Sequence, residues 1–498
     1  MKQEPVYIAP QTKGRSSDQK RRPLGHGAEI RASHIRIALL QARGRALAVL
    51  VMLASFIGPL QAASSPHIPG TLANPGFDGK TIKSVYFFAG QWRFPGPPFY
   101  EGPVPGELLA PASNDCLYTV FPVDGSNHLG WSETEQKRNF AVNLMLAAGV
   151  NVVNMSYWGP RSTDRWAFWA PMQTATGAHD ELFDVAVGKP VLIAPYIENG
   201  PKTFGENQTG CQGDTGPIGQ SPGYDFLDEF PGTLDDPAPQ LVEQIVDLVH
   251  RYLIKPRKPG WPAKWARMYD RNGEARFVVS LLHVGSNQPG VSDEKFAKAF
   301  TWVADRVHAK TGVRVGFTLD ALPPEHNAKF KPTPMRTGHF LAQQSAVLAI
   351  QPFIPEVFTG RCKAGEECDA VSGSSKLEAL IAWKYKFVRD WVSTGIPVIA
   401  DVSPGYDARS VFPGSPRYGN NQRWREGQAA LLSLGVRGIT ANAWNGYTEA
   451  LAIVPSCARS PLGEGPPGLV PCDLHPPEDA VNDAYRWFSA LRLPGIDH

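Results

Sequence analysis

The chain is constrained first by an alternation. Between positions 83 and 491, short apolar runs rich in β-branched and aromatic residues take turns with longer segments in which apolar side chains recur every three or four positions. Runs of the first kind predict buried strands, and segments of the second predict helices with one face in a core. The strand runs fall at 83–92, 150–158, 189–199, 275–284, 312–320, 346–356, 396–407 and 439–444. Helical spacing covers 132–149, 240–253, 292–310, 374–393, 422–434 and 479–491. The first of these opens on Ser132-Glu-Thr-Glu135, a capping box, and the fourth carries Leu377, Leu380, Ile381, Tyr385 and Val388 on one side. Eight strands interleaved with helices predict an α/β chain folded as a (β/α)8 TIM barrel. No Gly-x-Gly-x-x-Gly follows the first strand, which argues against a doubly wound dinucleotide-binding sheet.

In such a barrel the residues just past the carboxyl ends of the strands line the active-site face. The segments there are long and rich in Gly and Pro, which number 48 and 46 in the 498 residues, alongside 13 Trp. They predict ordered cleft walls rather than linkers between domains, because 42% of the chain is still apolar. Lysine and arginine together number 49 against 47 acids, a net charge of +2, so a polyanion such as nucleic acid is not an expected partner.

The N-terminus predicts export. Arg43 and Arg45 precede the apolar run 46–57, and Ala62 and Ala63 supply small residues for cleavage. The run is short for a membrane span, so a cleaved signal is the first expectation and a retained anchor the second. The expected organisation is a leader with signal or anchor over 1–63, a linker over 64–82 and a single barrel domain over 83–498. The mature protein is then secreted or periplasmic, touching a membrane only through its leader. Cys116, Cys211, Cys362, Cys368, Cys457 and Cys472 all follow the leader. An even count in an exported chain predicts disulfides, with 362 and 368, and 457 and 472, each sharing one loop and 116 left with 211; free buried thiols are the alternative. No spacing resembles a zinc cluster, and neither a metal nor another cofactor is expected.

Chemistry gathers after the last strand, at Trp444, Asn445, Tyr447 and Glu449. Aromatic rings stack on the apolar faces of pyranoses, amides bond their hydroxyls, and a carboxylic acid can protonate a leaving glycosidic oxygen. Other strand ends repeat the mixture. Trp92, Tyr157, Trp158 and Tyr406 join Trp444 and Tyr447 as stacking candidates, and Asn199, Gln351, His283, Asp320 and Asn445 are candidates for bonding hydroxyls. Glu449 is the candidate proton donor, in an aromatic setting that raises a carboxyl pKa. Glycoside cleavage also needs a second carboxylate across the ring, and Glu198, Asp320, Asp401 and Asp407 all stand at or just past strand ends.

The segment Trp444-Asn-Gly-Tyr-Thr-Glu449-Ala-Leu-Ala-Ile-Val-Pro455-Ser456 resembles the W-N-E-W-x-E-G-T-x-I-E-P-S stretch of glycoside hydrolase family 99, the endo-α-mannosidases and endo-mannanases, and of the related WbsX-like proteins. Three further places are similar to that family: Ser156-Tyr157-Trp158-Gly159-Pro160 to its S-W-W-G strand end, Ile197-Glu198 to its I-E pair, and Ser403-Pro404-Gly405-Tyr406-Asp407 to its P-G-Y-D loop. A more distant resemblance is to the α-1,3-glucanases of family 71. The family resemblance implies a barrel that hydrolyses α-linked glycans with retention, using two acids three residues apart in the last motif. Glu449 matches the second of these, the general acid/base. Gly446 stands at the first, so the carboxylate that assists attack by the sugar's own 2-hydroxyl is missing from this chain. The same motifs put Glu198 and Asp407 ahead as the second catalytic carboxylate.

The expectation is therefore an exported protein acting on a polysaccharide or oligosaccharide, with Glu449 as the acid that breaks an α-glycosidic bond. A non-catalytic glycan-binding protein on a degenerate glycosidase barrel is the alternative that Gly446 favours. An envelope assembly factor using the barrel for protein contacts is the third.

Overall fold

The computed structural model describes residues 67–87, 120–122, 135–157, 178–197, 238–284, 292–321, 334–353, 374–407, 417–419, 422–444, 453, 456–458 and 484–493. The leader 1–63 lies outside them. Strands and helices alternate as β1 Ile82–Phe87, α1 Glu135–Ala147, β2 Val152–Tyr157, α2 Ala178–Ala186, β3 Leu192–Ile197, α3 Pro239–Val249, β4 Ala275–Val284 and α4 Asp293–Thr311. The second half continues as β5 Val315–Ala321, α5 Pro334–Leu341, β6 Val347–Ile350, α6 Ser374–Ser393, β7 Ile399–Val402, α7 Gln422–Ala430, β8 Gly438–Ala441 and α8 Ala484–Ala490. Neighbouring strands run parallel in the order β6, β5, β4, β3, β2, β1, β8, β7. A parallel bridge between Ile350 and Val398 joins the two ends, with the Ile350 amide donating to the Pro397 carbonyl at 2.8 Å. The ring is a closed (β/α)8 barrel.

Each strand sends alternate side chains to opposite sides. In β2, Val153, Met155 and Tyr157 join the core between strands and helices, while Val152 and Asn154 belong to the barrel interior. The interior is layered, as barrel cores are. Its amino-terminal layer is hydrocarbon, from Ile82, Val152, Leu192, Val278, Leu348 and Ile399. Above it lies a polar layer, in which Asn154 donates to Ser84 at 3.1 Å and to Thr440 at 3.3 Å, Gln351 to Thr440 at 3.3 Å, and Thr318 to Ser280 at 2.6 Å. The carboxyl-terminal layer is aromatic, with Tyr86, Tyr196, Phe353, Tyr406 and Trp424 in one cluster.

The floor corrects one expectation. The described part of the stretch read as a linker, 67–82, is built into the fold. The Gly70 amide donates to the Tyr269 carbonyl at 2.9 Å, the Ala73 amide to that of Arg267 at 2.8 Å, and Leu72 bridges Met268 and is fully buried. Gly70 is required there: its φ is +82°, and a Cβ would sit 2.5 Å from the Pro397 side chain. The Arg267–Tyr269 strand that receives this segment pairs antiparallel with β4 and was not predicted.

The helix expected over 132–149 is described from Glu135 to Ala147, and Ser132 of its capping box lies outside the described residues. Ser292 accepts from the Lys295 amide at 3.2 Å at the start of α4, and Gly312, at φ +72°, ends it. Most strands are shorter than their apolar runs, β6 stopping at Ile350 and β7 at Val402; Pro404 cannot continue the β7 ladder, and Gly405–Asp407 instead pairs antiparallel with Arg417–Gly419.

Candidate active site

The carboxyl ends of the eight strands share one end of the barrel, and two buried carboxylates stand there. Asp320, on β5, is 1% exposed and accepts from the Phe353 amide at 2.6 Å, tying the chain after β6 to the strand beside it. Asp401, on β7, is fully buried. Its Oδ2 accepts from Lys384 Nζ of α6 at 2.8 Å, and its Oδ1 accepts from Asn442 Nδ2, just past β8. Lys384 also donates to Gln428 Oε1 at 2.8 Å and lies 5.5 Å from the centre of the Trp424 ring. Burial pushes the Lys384 ammonium below its ordinary pKa, while the Asp401 charge opposes that shift.

This lysine enters through a seam. β6 and β7 meet at a single bridge, and Leu377 and Leu380 of α6 join the aromatic cluster of the mouth. Lys384 follows them one turn later on the same face. Next to the seam, the end of β8 forms a pinned corner. The Asn442 amide donates to the Val402 carbonyl at 3.1 Å and the Trp444 amide to that of Tyr86 at 2.6 Å. The chain leaves at Trp444 and comes back at Ile453, whose amide donates to the Ala443 carbonyl at 2.9 Å. The Asn442–Ala443 peptide is cis.

A second polar group flanks the mouth behind β2. His179, fully buried near the start of α2, donates through Nε2 to the Ser156 carbonyl at 2.9 Å. Burial is the main cause that lowers its pKa to about 4; the bond to Ser156 opposes it and the Arg251 charge adds to it. Asp180 beside it accepts from Arg251 at 3.0 Å, Arg257 at 2.8 Å and the Tyr252 hydroxyl at 3.1 Å. Burial raises its pKa, but these bonds and the Arg251 charge outweigh burial and hold the carboxyl below its usual range.

No protein-family model matches this chain, and no curated protein does. Solved structures with which it shares a likeness include the GH99 endo-α-mannosidase from Bacteroides thetaiotaomicron, at 13% identity and a TM-score of 0.42 over 81% of this chain and 95% of that one. A glycoside hydrolase family 5 mannosidase from Rhizomucor miehei is similar at 12% identity and a TM-score of 0.39, over 72% of this chain and 88% of that one.

The structure relocates three expected sugar contacts. Tyr157 faces outward into the strand–helix core, its ring 5.5 Å from that of His179, because strand alternation gives the interior to Ser156 and Asn154. Trp444 is likewise in the outer core, fully buried with its ring centre 6.2 Å from Tyr485 of α8. Tyr406 is at the mouth but wholly buried in the aromatic cluster, so it braces the wall rather than offering a free face. Asp320 lies inside the mouth, committed at Oδ1 to the Phe353 amide. The backbones of His283, at the end of β4, and Asp407, in the antiparallel pair after β7, are described without their side chains.

Trp92, Trp158, Glu198, Asn199, Asn445, Tyr447 and Glu449 lie outside the described residues, as do Cys116, Cys211, Cys362, Cys368 and Cys472. Cys457 is described in backbone alone, in the strand Ser456–Ala458 paired with Val120–Pro122. Ile197, the last residue of β3, directly precedes Glu198. Among the described residues no group of three or more His, Cys, Asp or Glu could hold a metal ion. Lys384 and Asn442 were missed by the sequence reading. The signal for Lys384 was legible, since it falls on the 377, 380, 384, 388 stripe of an otherwise apolar helix face.

Proposed function

We propose that this protein is an exported glycoside hydrolase that cleaves an α-glycosidic bond in a polysaccharide or oligosaccharide. Glu449 is its general acid/base, and Glu198 or Asp407 is the second carboxylate. The observation that carries this reading is the convergence at the mouth. β3 ends one residue before Glu198, β7 leads into the pair that holds Asp407, and the corner made by Trp444 and Ile453 brackets the segment with Glu449. Of the four motifs that resemble family 99, three follow β3, β7 and β8 in the sequence and one follows β2, and together they favour an α-linked substrate.

In the proposed reaction Glu449 protonates the glycosidic oxygen as the bond to the anomeric carbon breaks. The second carboxylate bonds to the anomeric carbon from the opposite face as the leaving sugar departs; Glu449 then takes a proton from a water whose oxygen displaces that carboxylate and frees it. Removal of a single donor of this kind is worth about 100- to 10,000-fold in rate. Gly446, where the family carries an acid, favours a second reading, a glycan-binding protein on the same barrel.

Purified protein incubated with α-mannan and α-glucan separates the two. The hydrolase releases reducing ends, whereas the binding protein is retarded in a gel containing the polysaccharide and releases none. Neither effect with any α-linked polysaccharide rejects both readings.

A further inference from the structure

We propose that Lys384 is a positioning residue, whose buried ammonium, acting through Asp401 and Asn442, fixes the corner at the end of β8. The inference rests on the reading above for its catalytic consequence, because Glu449 follows that corner, but its geometry stands on its own.

A lysine in the apolar stripe of a core helix is costly to bury and is retained only where its charge is matched. Here the match is close on every side that the structure describes. Lys384 Nζ reaches Asp401 and Gln428 at 2.8 Å each, and its side chain is 2% exposed. Asp401 is inaccessible, and each of its oxygens is engaged, one by the lysine and one by Asn442. This arrangement takes Asp401 out of the set of strand-end acids able to exchange a proton with a substrate. It makes the carboxylate a coupling between two elements instead, α6 on one side and the β8 end on the other.

The coupling ends where order is needed. Asn442 is followed by Ala443, whose carbonyl receives the Ile453 amide, and by Trp444, whose amide reaches Tyr86 of β1. These three residues set the direction in which the chain leaves the barrel and the point to which it comes back. β7 is joined to β6 by a single bridge and to β8 by a regular ladder, so on its β6 side it is held weakly by the sheet. The ion pair ties β7 to α6 instead, the helix packed outside it.

Lys384→Met removes the ammonium and strands the carboxylate, while Asn442→Ala cuts the link and leaves the ion pair in place. Amide hydrogen exchange reads the corner directly. We expect protection at Trp444 and Ile453 to fall by about tenfold more than at Leu72 and Ala73 of the floor, the weight of one hydrogen bond, in both variants. On a glycan that the wild type hydrolyses, kcat falls about 100-fold with KM held, the signature of misplaced chemistry rather than lost binding. Protection lost equally at corner and floor, or unchanged at the corner, overturns the proposal by reducing the pair to a general stabiliser or to nothing. If Lys384→Met does not fold, Asn442→Ala gives the same comparison. If the wild type hydrolyses no glycan, the hydrolase reading fails, and the exchange data still decide the positioning role.

Discussion

At the amino-terminal end of the barrel, Leu72, Ile82, Val152, Leu192, Met268 and Ile399 close the interior with hydrocarbon. At the carboxyl-terminal end, Lys384, Asp320, Asp401 and Asn442 are buried beside Tyr86, Tyr196, Phe353 and Trp424. The first end gains most of its free energy from burial, roughly 25 cal/mol for each Å² of apolar surface removed from water, with the buried Asp270–Arg276 pair at 2.7 Å beside it. The second gains little from burying charge, since desolvation offsets most of the attraction within a pair. The mouth is where a reaction is expected because the strand ends of a barrel open there, and its buried polar groups fix the directions in which those ends leave the barrel.

Substitutions at the two ends should therefore differ in kind. The largest effect is expected at the mouth: Glu449→Gln should lower release of reducing ends by about 1000-fold while leaving the thermal midpoint unchanged. Kinetic assays beside a melting curve check this, and equal turnover in the variant removes Glu449 from its role. At the floor the pattern should reverse. Leu72→Ala should cost about 4 kcal/mol in denaturant unfolding, because a fully buried leucine leaves a cavity in the hydrocarbon layer of the floor, with kcat per folded molecule unchanged.

Acid should expose the mouth next. His179 is neutral in the fold down to about 4, whereas the unfolded chain protonates it near 6.5. As pH falls through that window the unfolded state binds a proton that the folded state does not, so stability falls, by about 3 kcal/mol in all, and this group adds no further loss below it. His179→Gln should flatten the pH dependence of unfolding between those values, and an unaltered slope would contradict the assignment. Asp180 acts lower in pH, its depressed carboxyl contributing stability that is lost as pH falls through its folded value. The smallest expected effect is Gly438→Ala. A Cβ there would lie 2.6 Å from the Ile82 carbonyl, forcing β1 and β8 apart at the floor at a cost of about 2 kcal/mol, again with kcat intact.

The sequence made the barrel wall more legible than either its floor or its mouth. The eight buried runs declare themselves because parallel strands with apolar residues on both faces stand out from their surroundings. α6 was read to its bounds, Ser374–Ser393, since its twenty residues carry a continuous stripe. α2 and α5 were not read as helices. α5 has eight residues, opens on Pro334 and contains Gly338, which reads as a loop. The glycine is there for a tertiary reason that local pattern does not hold, since a Cβ would come within 2.4 Å of the Thr394 side chain. The outward turn of Tyr157 and Trp444 was missed for a related reason. Which face of a strand or its exit points inward depends on register across the barrel, and a run that is apolar throughout does not reveal it. Lys384 was visible as a charge on an apolar stripe, but its partners are 17 and 44 positions away along the chain, beyond what spacing discloses.

The most direct test is to see where a sugar binds. Crystals of the Glu449→Gln variant soaked with an α-linked mannose oligosaccharide should show the glycan at the carboxyl ends of the strands, between the ends of β3 and β8. A glycan bound elsewhere on the barrel, or a mouth empty at saturating sugar, would contradict a catalytic site built on those strand ends.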